Sequence, residues 1–203
     1  MSQILNEPEQ HQPGVQRVLQ TRKETKAFYD KIAKVYDLLS EHSEQPIRNI
    51  GLEKLDVREG ERILEIGFGT GSSLVDLARL AGAEGRVFGA DISDQILEVA
   101  RQKLRDQRLE ARVEMICADA MTLPYESDSM DGIFMSFTLE LFDLPEIPAV
   151  LAECRRILRV GGRLVVVGMS KEGENGPIFM PSNGLTNTSE FSGLSTNLRA
   201  TRA

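Results

Sequence analysis

Residues 65–71 read Glu-Ile-Gly-Phe-Gly-Thr-Gly, a carboxylate near the end of an apolar run followed by glycines at alternate positions. Glycine lets the backbone turn through conformations that a Cβ forbids and lets a ligand lie against the main chain. A helix starting at such a turn points its free N–H groups and the positive end of its dipole at whatever the turn holds. The chemistry this suits is binding of a nucleotide-like small molecule. The spacing is G-x-G-x-G over Gly67, Gly69 and Gly71, with Glu65 two residues ahead. A dinucleotide fingerprint would read G-x-G-x-x-G.

Further residues carry chemistry that fits this loop. Asp91 lies 20 residues after Gly71. A carboxylate there can accept from the 2′ and 3′ hydroxyls of a ribose. Its alternative is to cap the next helix, a role that Ser93 and Asp94 can also fill. Asp119 could accept from the exocyclic amine of an adenine, or it could be an ordinary turn aspartate. Glu65 sits inside an apolar strand, where an unpartnered charge is costly, so it should meet loop N–H groups or a ligand ammonium. Ser136 and Thr138 offer hydroxyls near the end of a later strand, to a ligand or to a helix terminus.

The elements that must position these residues alternate. Apolar spacing predicts helices over residues 22–40 and 46–55, with Pro46 at a favourable first position. Strands are expected at 62–66, 86–90, 112–117, 132–137 and 163–168, with helices at 70–81, from Ser93 or Asp94 onward, and at 145–158. This is an α/β chain with a doubly wound, mostly parallel sheet of strand order 3-2-1-4-5. The ligand crevice then lies beyond the carboxyl ends of strands one and four, where the winding reverses. Gly67, Asp91, Asp119 and Ser136 all arrive at that edge. The expected organisation is a polar leader at 1–20, an N-terminal helical lid at 21–57, the ligand-binding domain at 58–170 and an irregular tail at 171–203.

Composition bounds the rest. At 203 residues with 41% hydrophobic content, the chain can bury a full domain core. A net charge of −7 argues against a nucleic-acid partner. No apolar run is long enough for a membrane span, and residues 1–12 lack the order of a secretory signal. The two cysteines, Cys117 and Cys154, read as reduced thiols, so a cytoplasmic location is expected. Two histidines without clustered cysteines predict no metal site.

Residues 28–37, Phe-Tyr-Asp-Lys-Ile-Ala-Lys-Val-Tyr-Asp, precede the glycine loop as a "YD-x-I-A-x-x-YD" element. With residues 62–71, 87–93, 119–124, 128–137 and 156–169, it resembles the class I, Rossmann-like S-adenosylmethionine-dependent methyltransferases. Within that class the chain is similar to the ubiquinone/menaquinone-biosynthesis C-methyltransferase group, over about residues 22–175. The resemblance implies S-adenosylmethionine as cofactor and a small apolar or aromatic, quinone-precursor-like acceptor. It extends the expected cofactor contacts to Phe68, Ile92 and Ala120, and to Tyr29 and Tyr36 of the lid. The tyrosines also suit a helical core stripe, because Tyr36 shares one with Phe28 and Ile32. The resemblance and the residues single out no general base.

One departure shapes the expectations. The family continues past strand five through another helix and an antiparallel strand pair. Here residues 177–203 are rich in Ser, Thr, Asn and Gly without periodicity. The last two strands are therefore expected to be missing, leaving strand five as an exposed edge open to self-association. Two alternatives to a working methyltransferase stay open: a cofactor-binding or regulatory chain without activity, and a nicotinamide-dependent oxidoreductase, which the glycine spacing disfavours.

Overall fold

The structure is a computed structural model that describes residue 24, residues 44–168 and the backbone of residues 176–181. Helix α1 covers residues 44–55. It is followed by β1 (Arg62–Ile66), α2 (Ser72–Leu80), β2 (Arg86–Asp91), α3 (Asp94–Asp106) and β3 (Val113–Cys117). Then come β4 (Met130–Ser136), α4 (Ile147–Ile157), β5 (Leu158–Gly168) and β6 (Gly176–Pro181). Apart from residue 24, the helix expected at 22–40, with Tyr29 and Tyr36, lies outside the described residues.

The sheet runs β3-β2-β1-β4-β5-β6, and its first five strands are parallel in the expected order. Alternation along β1 splits the core. Ile63 packs with Leu74, Leu77, Ala100 and Leu104 under α2 and α3. Leu64 and Ile66 pack with Ile133, Leu151 and Ile157 on the α4 side. Side chains of period two, buried on both faces, are what a covered parallel sheet requires. Leu52 and Leu55 of α1 join the first cluster. A Cβ on Gly51 would lie 2.4 Å from Val167 Cγ2, so α1 rests directly on the central strands.

The structure corrects three expectations. Strand β5 begins at Leu158 rather than Arg163, because Met130 pairs with Leu158 before a register shift and Gly132 then pairs with Arg163. Gly161 and Gly162 sit inside this strand, and Gly161 has a φ of +80°. Strand β4 likewise starts at Met130 rather than at residue 132, so Asp131 belongs to the sheet. It is 7% exposed, accepts the Arg62 N–H at 2.7 Å and pairs with Arg159 at 2.6 Å.

The third correction concerns the tail. Residues 176–181 form β6, antiparallel to β5 from Gly168↔Gly176 to Arg163↔Pro181. The tail is not irregular throughout, and the free edge expected to drive self-association through β5 is covered. Pro177 and Pro181 obscured the strand, since proline disfavours a central ladder position but is tolerated on an edge.

A partly buried ion pair anchors the amino end of β1. The Arg163 guanidinium reaches Glu61 with an Nη1–Oε1 distance of 2.9 Å. Burial pushes the Glu61 carboxyl up, but the bonds from Arg163 and the Arg58 N–H outweigh it and hold it below its usual range.

Candidate functional site

The glycine loop, residues 67–71, joins β1 to α2 at the carboxyl edge of the sheet, and each glycine has its own reason to be there. Gly67 has φ +72°, and a Cβ would meet Thr138 Cγ2 and Oγ1 at 2.3 Å. Gly71 has φ +86°, and its Cβ would come within 2.9 Å of Ala100 Cβ on α3. Both are demanded by packing. Gly69 differs: its φ is +51°, yet no atom of the described residues lies within 4 Å of where a Cβ would stand. Among the described residues nothing crowds the Gly69 main chain, the condition for close approach by a ligand.

Asp91 ends β2 beside this loop. One carboxylate oxygen accepts the Gly69 N–H at 3.1 Å and the other accepts the Ser93 N–H at 3.0 Å. Ser93 in turn caps α3 by accepting the Ile96 N–H at 3.2 Å. Asp91 therefore ties the glycine loop to the start of α3. It is half-buried.

Asp119 follows β3 and folds its carboxylate onto the Met121 N–H at 2.9 Å, as a turn aspartate does. It remains half-exposed. Ile92 is half-exposed beside Asp91, whereas Ala120 is 7% exposed within the α4-side core. Phe68 is 4% exposed and points into the core, where a Cβ on Gly89 would meet its ring at 2.8 Å. Only the Phe68 main chain is therefore available to a ligand. The residue after β4, Phe137, has φ +53°. A non-glycine residue in that region is uncommon and concentrates at functional turns.

Glu65 is 1% exposed, and one of its oxygens, Oε2, has no hydrogen-bond partner among the described residues. Burial drives its carboxyl well above the ordinary range, opposed by the Ser73 hydroxyl and the Arg48 guanidinium and reinforced by Asp91 and Asp76. Arg48 of α1 is 8% exposed, and its buried Nε also lacks a partner among the described residues. Ser136 Oγ, at the end of β4, is a third such atom. Sequence reasoning missed Arg48 because it sits outside every motif on the helix before β1. Its only signal was a lone arginine between apolar Ile47 and Ile50.

These facts set a testable sign. A carboxyl whose folded pKa is raised costs stability once pH exceeds its unfolded value, and the cost grows until pH passes the folded value. Glu65→Gln should therefore raise the melting temperature of the ligand-free protein at neutral pH and leave it unchanged near pH 4. Thermal melts across that range would show this, and an equal shift at both pH values would contradict it.

Comparison with known proteins bears on this site. The family profile of the ubiE/COQ5 methyltransferase family matches residues 15–178. The ubiquinone/menaquinone biosynthesis C-methyltransferase UbiE of Teredinibacter turnerae is 36% identical over 147 residues, covering 70% of this chain and 58% of that protein. Methyltransferase GfsG of Streptomyces halstedii is 39% identical over 137 residues, covering 68% and 48% respectively. The chain thus spans about half to three-fifths of the length of these relatives. Among solved structures, the [4+2]-cyclase SpnF superposes with a TM-score of 0.66 at 22% identity, over 73% of this chain and 60% of that one. A SAM-dependent methyltransferase from Aquifex aeolicus gives 0.57 at 22% identity, over 74% and 77%. Identities this low speak for the fold alone, which hosts more than one reaction.

Proposed function

The chain belongs to the ubiE/COQ5 methyltransferase family, and from that premise we propose that it transfers the methyl group of S-adenosylmethionine to a small apolar or aromatic acceptor. The observation that carries the cofactor assignment is that two buried atoms of opposite character, Arg48 Nε and Glu65 Oε2, lack partners among the described residues and belong to side chains that interact electrostatically. A zwitterionic α-amino acid brings a carboxylate for the first and an ammonium for the second. A buried polar atom without a partner costs about 1–3 kcal/mol, so a ligand that satisfies both gains accordingly. A nicotinamide dinucleotide has no such group, which disfavours the oxidoreductase reading.

In this reading Asp91 accepts from the ribose hydroxyls, and the main chain of Gly67, Phe68, Gly69 and Gly71 lies against the sugar and the sulfur-bearing chain. Asp119, Ile92 and Ala120 border the adenine, and Ser136 supports the amino-acid end. Tyr29 and Tyr36 belong to a lid. The cofactor supplies a methyl on a sulfonium, already a strong electrophile. What remains for the protein is to hold the acceptor in line with it and to exclude water. The names of the UbiE relatives suit an apolar acceptor. Neither Cys117 nor Cys154 is in a disulfide among the described residues, which fits a cytoplasmic setting.

Titration calorimetry tests this directly. S-adenosylhomocysteine should bind at micromolar concentration and NAD should give no heat. Binding of NAD with no response to S-adenosylhomocysteine would replace this function with the oxidoreductase.

A further inference from the structure

Among the described residues three carboxyl groups are buried, those of Glu61, Glu65 and Asp131. Two of them are met by arginines: Glu61 by Arg163 at 2.9 Å and Asp131 by Arg159 at 2.6 Å. Glu65 is the most deeply buried of the three, and its Oε2 has no hydrogen-bond partner. A buried carboxylate without a contacting cation is costly, and such a group keeps its proton instead.

The surroundings of Glu65 favour that outcome from every side. Its register partners on β1's two neighbours are Gly89 and Phe134, which bring no polar side chain. The ring of Phe68 fills the space beside Gly89, where a Cβ would meet it at 2.8 Å. From α2, Ser73 offers a hydroxyl. The charged groups that act on Glu65 are Arg48 of α1, Asp76 of α2 and Asp91 of β2, one cation against two anions. Burial, reinforced by the two aspartates, outweighs Ser73 and Arg48 and holds the carboxyl well above its ordinary range.

We propose that cofactor binding at this site is proton-coupled: Glu65 is a neutral acid in the free protein and gives up its proton when the α-ammonium of the cofactor's amino-acid end arrives. This coupling rests on the cofactor reading above. The ammonium brings to the bare Oε2 the contacting positive charge that the protein does not supply. On binding, the Glu65 O–H bond breaks and the proton leaves to solvent. An ammonium N–H then donates to the freed oxygen, and no covalent bond of the cofactor changes. Because binding expels a proton, a fall in pH opposes it. Affinity should rise by up to about tenfold per pH unit while free Glu65 is protonated, and level off once the free protein ionises it.

Calorimetry of S-adenosylhomocysteine binding to the full chain, at about pH 6.5 in phosphate and in imidazole, tests the coupling. These buffers take up protons with different heats, so the observed enthalpy should differ between them by an amount equal to one proton released per ligand. Infrared difference spectra should show the C=O stretch of a protonated carboxyl disappearing on binding. In the free protein that band should be missing from Glu65→Gln, which retains the volume of the side chain and has no proton to lose. Binding with equal heat in both buffers would overturn the coupling and leave the cofactor reading standing. A protonated-carboxyl band that persists in free Glu65→Gln at wild-type strength would overturn it too, by placing the proton on another residue. No heat in either buffer would overturn the cofactor reading and the coupling with it.

Discussion

Gly69→Val should leave the domain folded and reduce S-adenosylhomocysteine affinity more than a hundredfold, about 2.7 kcal/mol or more. The fold should survive because no atom of the described residues lies within 4 Å of the new Cβ. The cost in the free protein is local: φ is +51°, a left-handed conformation that a β-branched residue adopts only under strain. Binding should suffer far more, because the side chain fills the space through which a ligand reaches the backbone. Gly67→Val and Gly71→Val serve as contrasts, since their Cβ atoms would collide with Thr138 and Ala100 and should destabilise the protein outright. Calorimetry and thermal melts on the three variants separate the effects. Retained affinity in Gly69→Val with an intact circular dichroism spectrum would put the ligand elsewhere.

Asp91→Ala should have the next largest effect, raising the dissociation constant by roughly a hundred- to a thousandfold. The carboxylate would lose its bonds to the ribose. It would also release the Gly69 and Ser93 N–H groups, which it now holds at 3.1 and 3.0 Å. Hydrogen bonds to a charged group contribute roughly 1.5–3 kcal/mol each, toward the low end where solvent reaches them. The variant should therefore lose some thermal stability as well, and Asp91→Asn should lie between it and the wild type. An unchanged dissociation constant with a lowered melting temperature would make Asp91 a brace for the loop and nothing more.

The sequence alone carried the order of strands and the glycine loop. Both rest on short-range rules: side chains of period two for Leu64 and Ile66, the φ that only glycine adopts freely at Gly67 and Gly71, and the Ser93 cap on α3. Edge residues such as Asp91 and Ser136 followed, because strand order and winding direction dictate which ends meet. What the tertiary structure decided is non-local. Phe68 turned inward because Gly89, on the neighbouring strand, leaves room for its ring. Residues 176–181 became a strand because β5 offered unpaired backbone groups, a fact about residues 163–168 that no local pattern in the tail encodes. Arg48 became a candidate site residue only when α1 packed on β4 and β5 and brought its guanidinium into electrostatic reach of Glu65. Backbone sterics and periodicity act over a few residues and can be read along the chain. Burial, charge complementarity and edge pairing depend on partners distant in sequence, and only the folded chain brings them together.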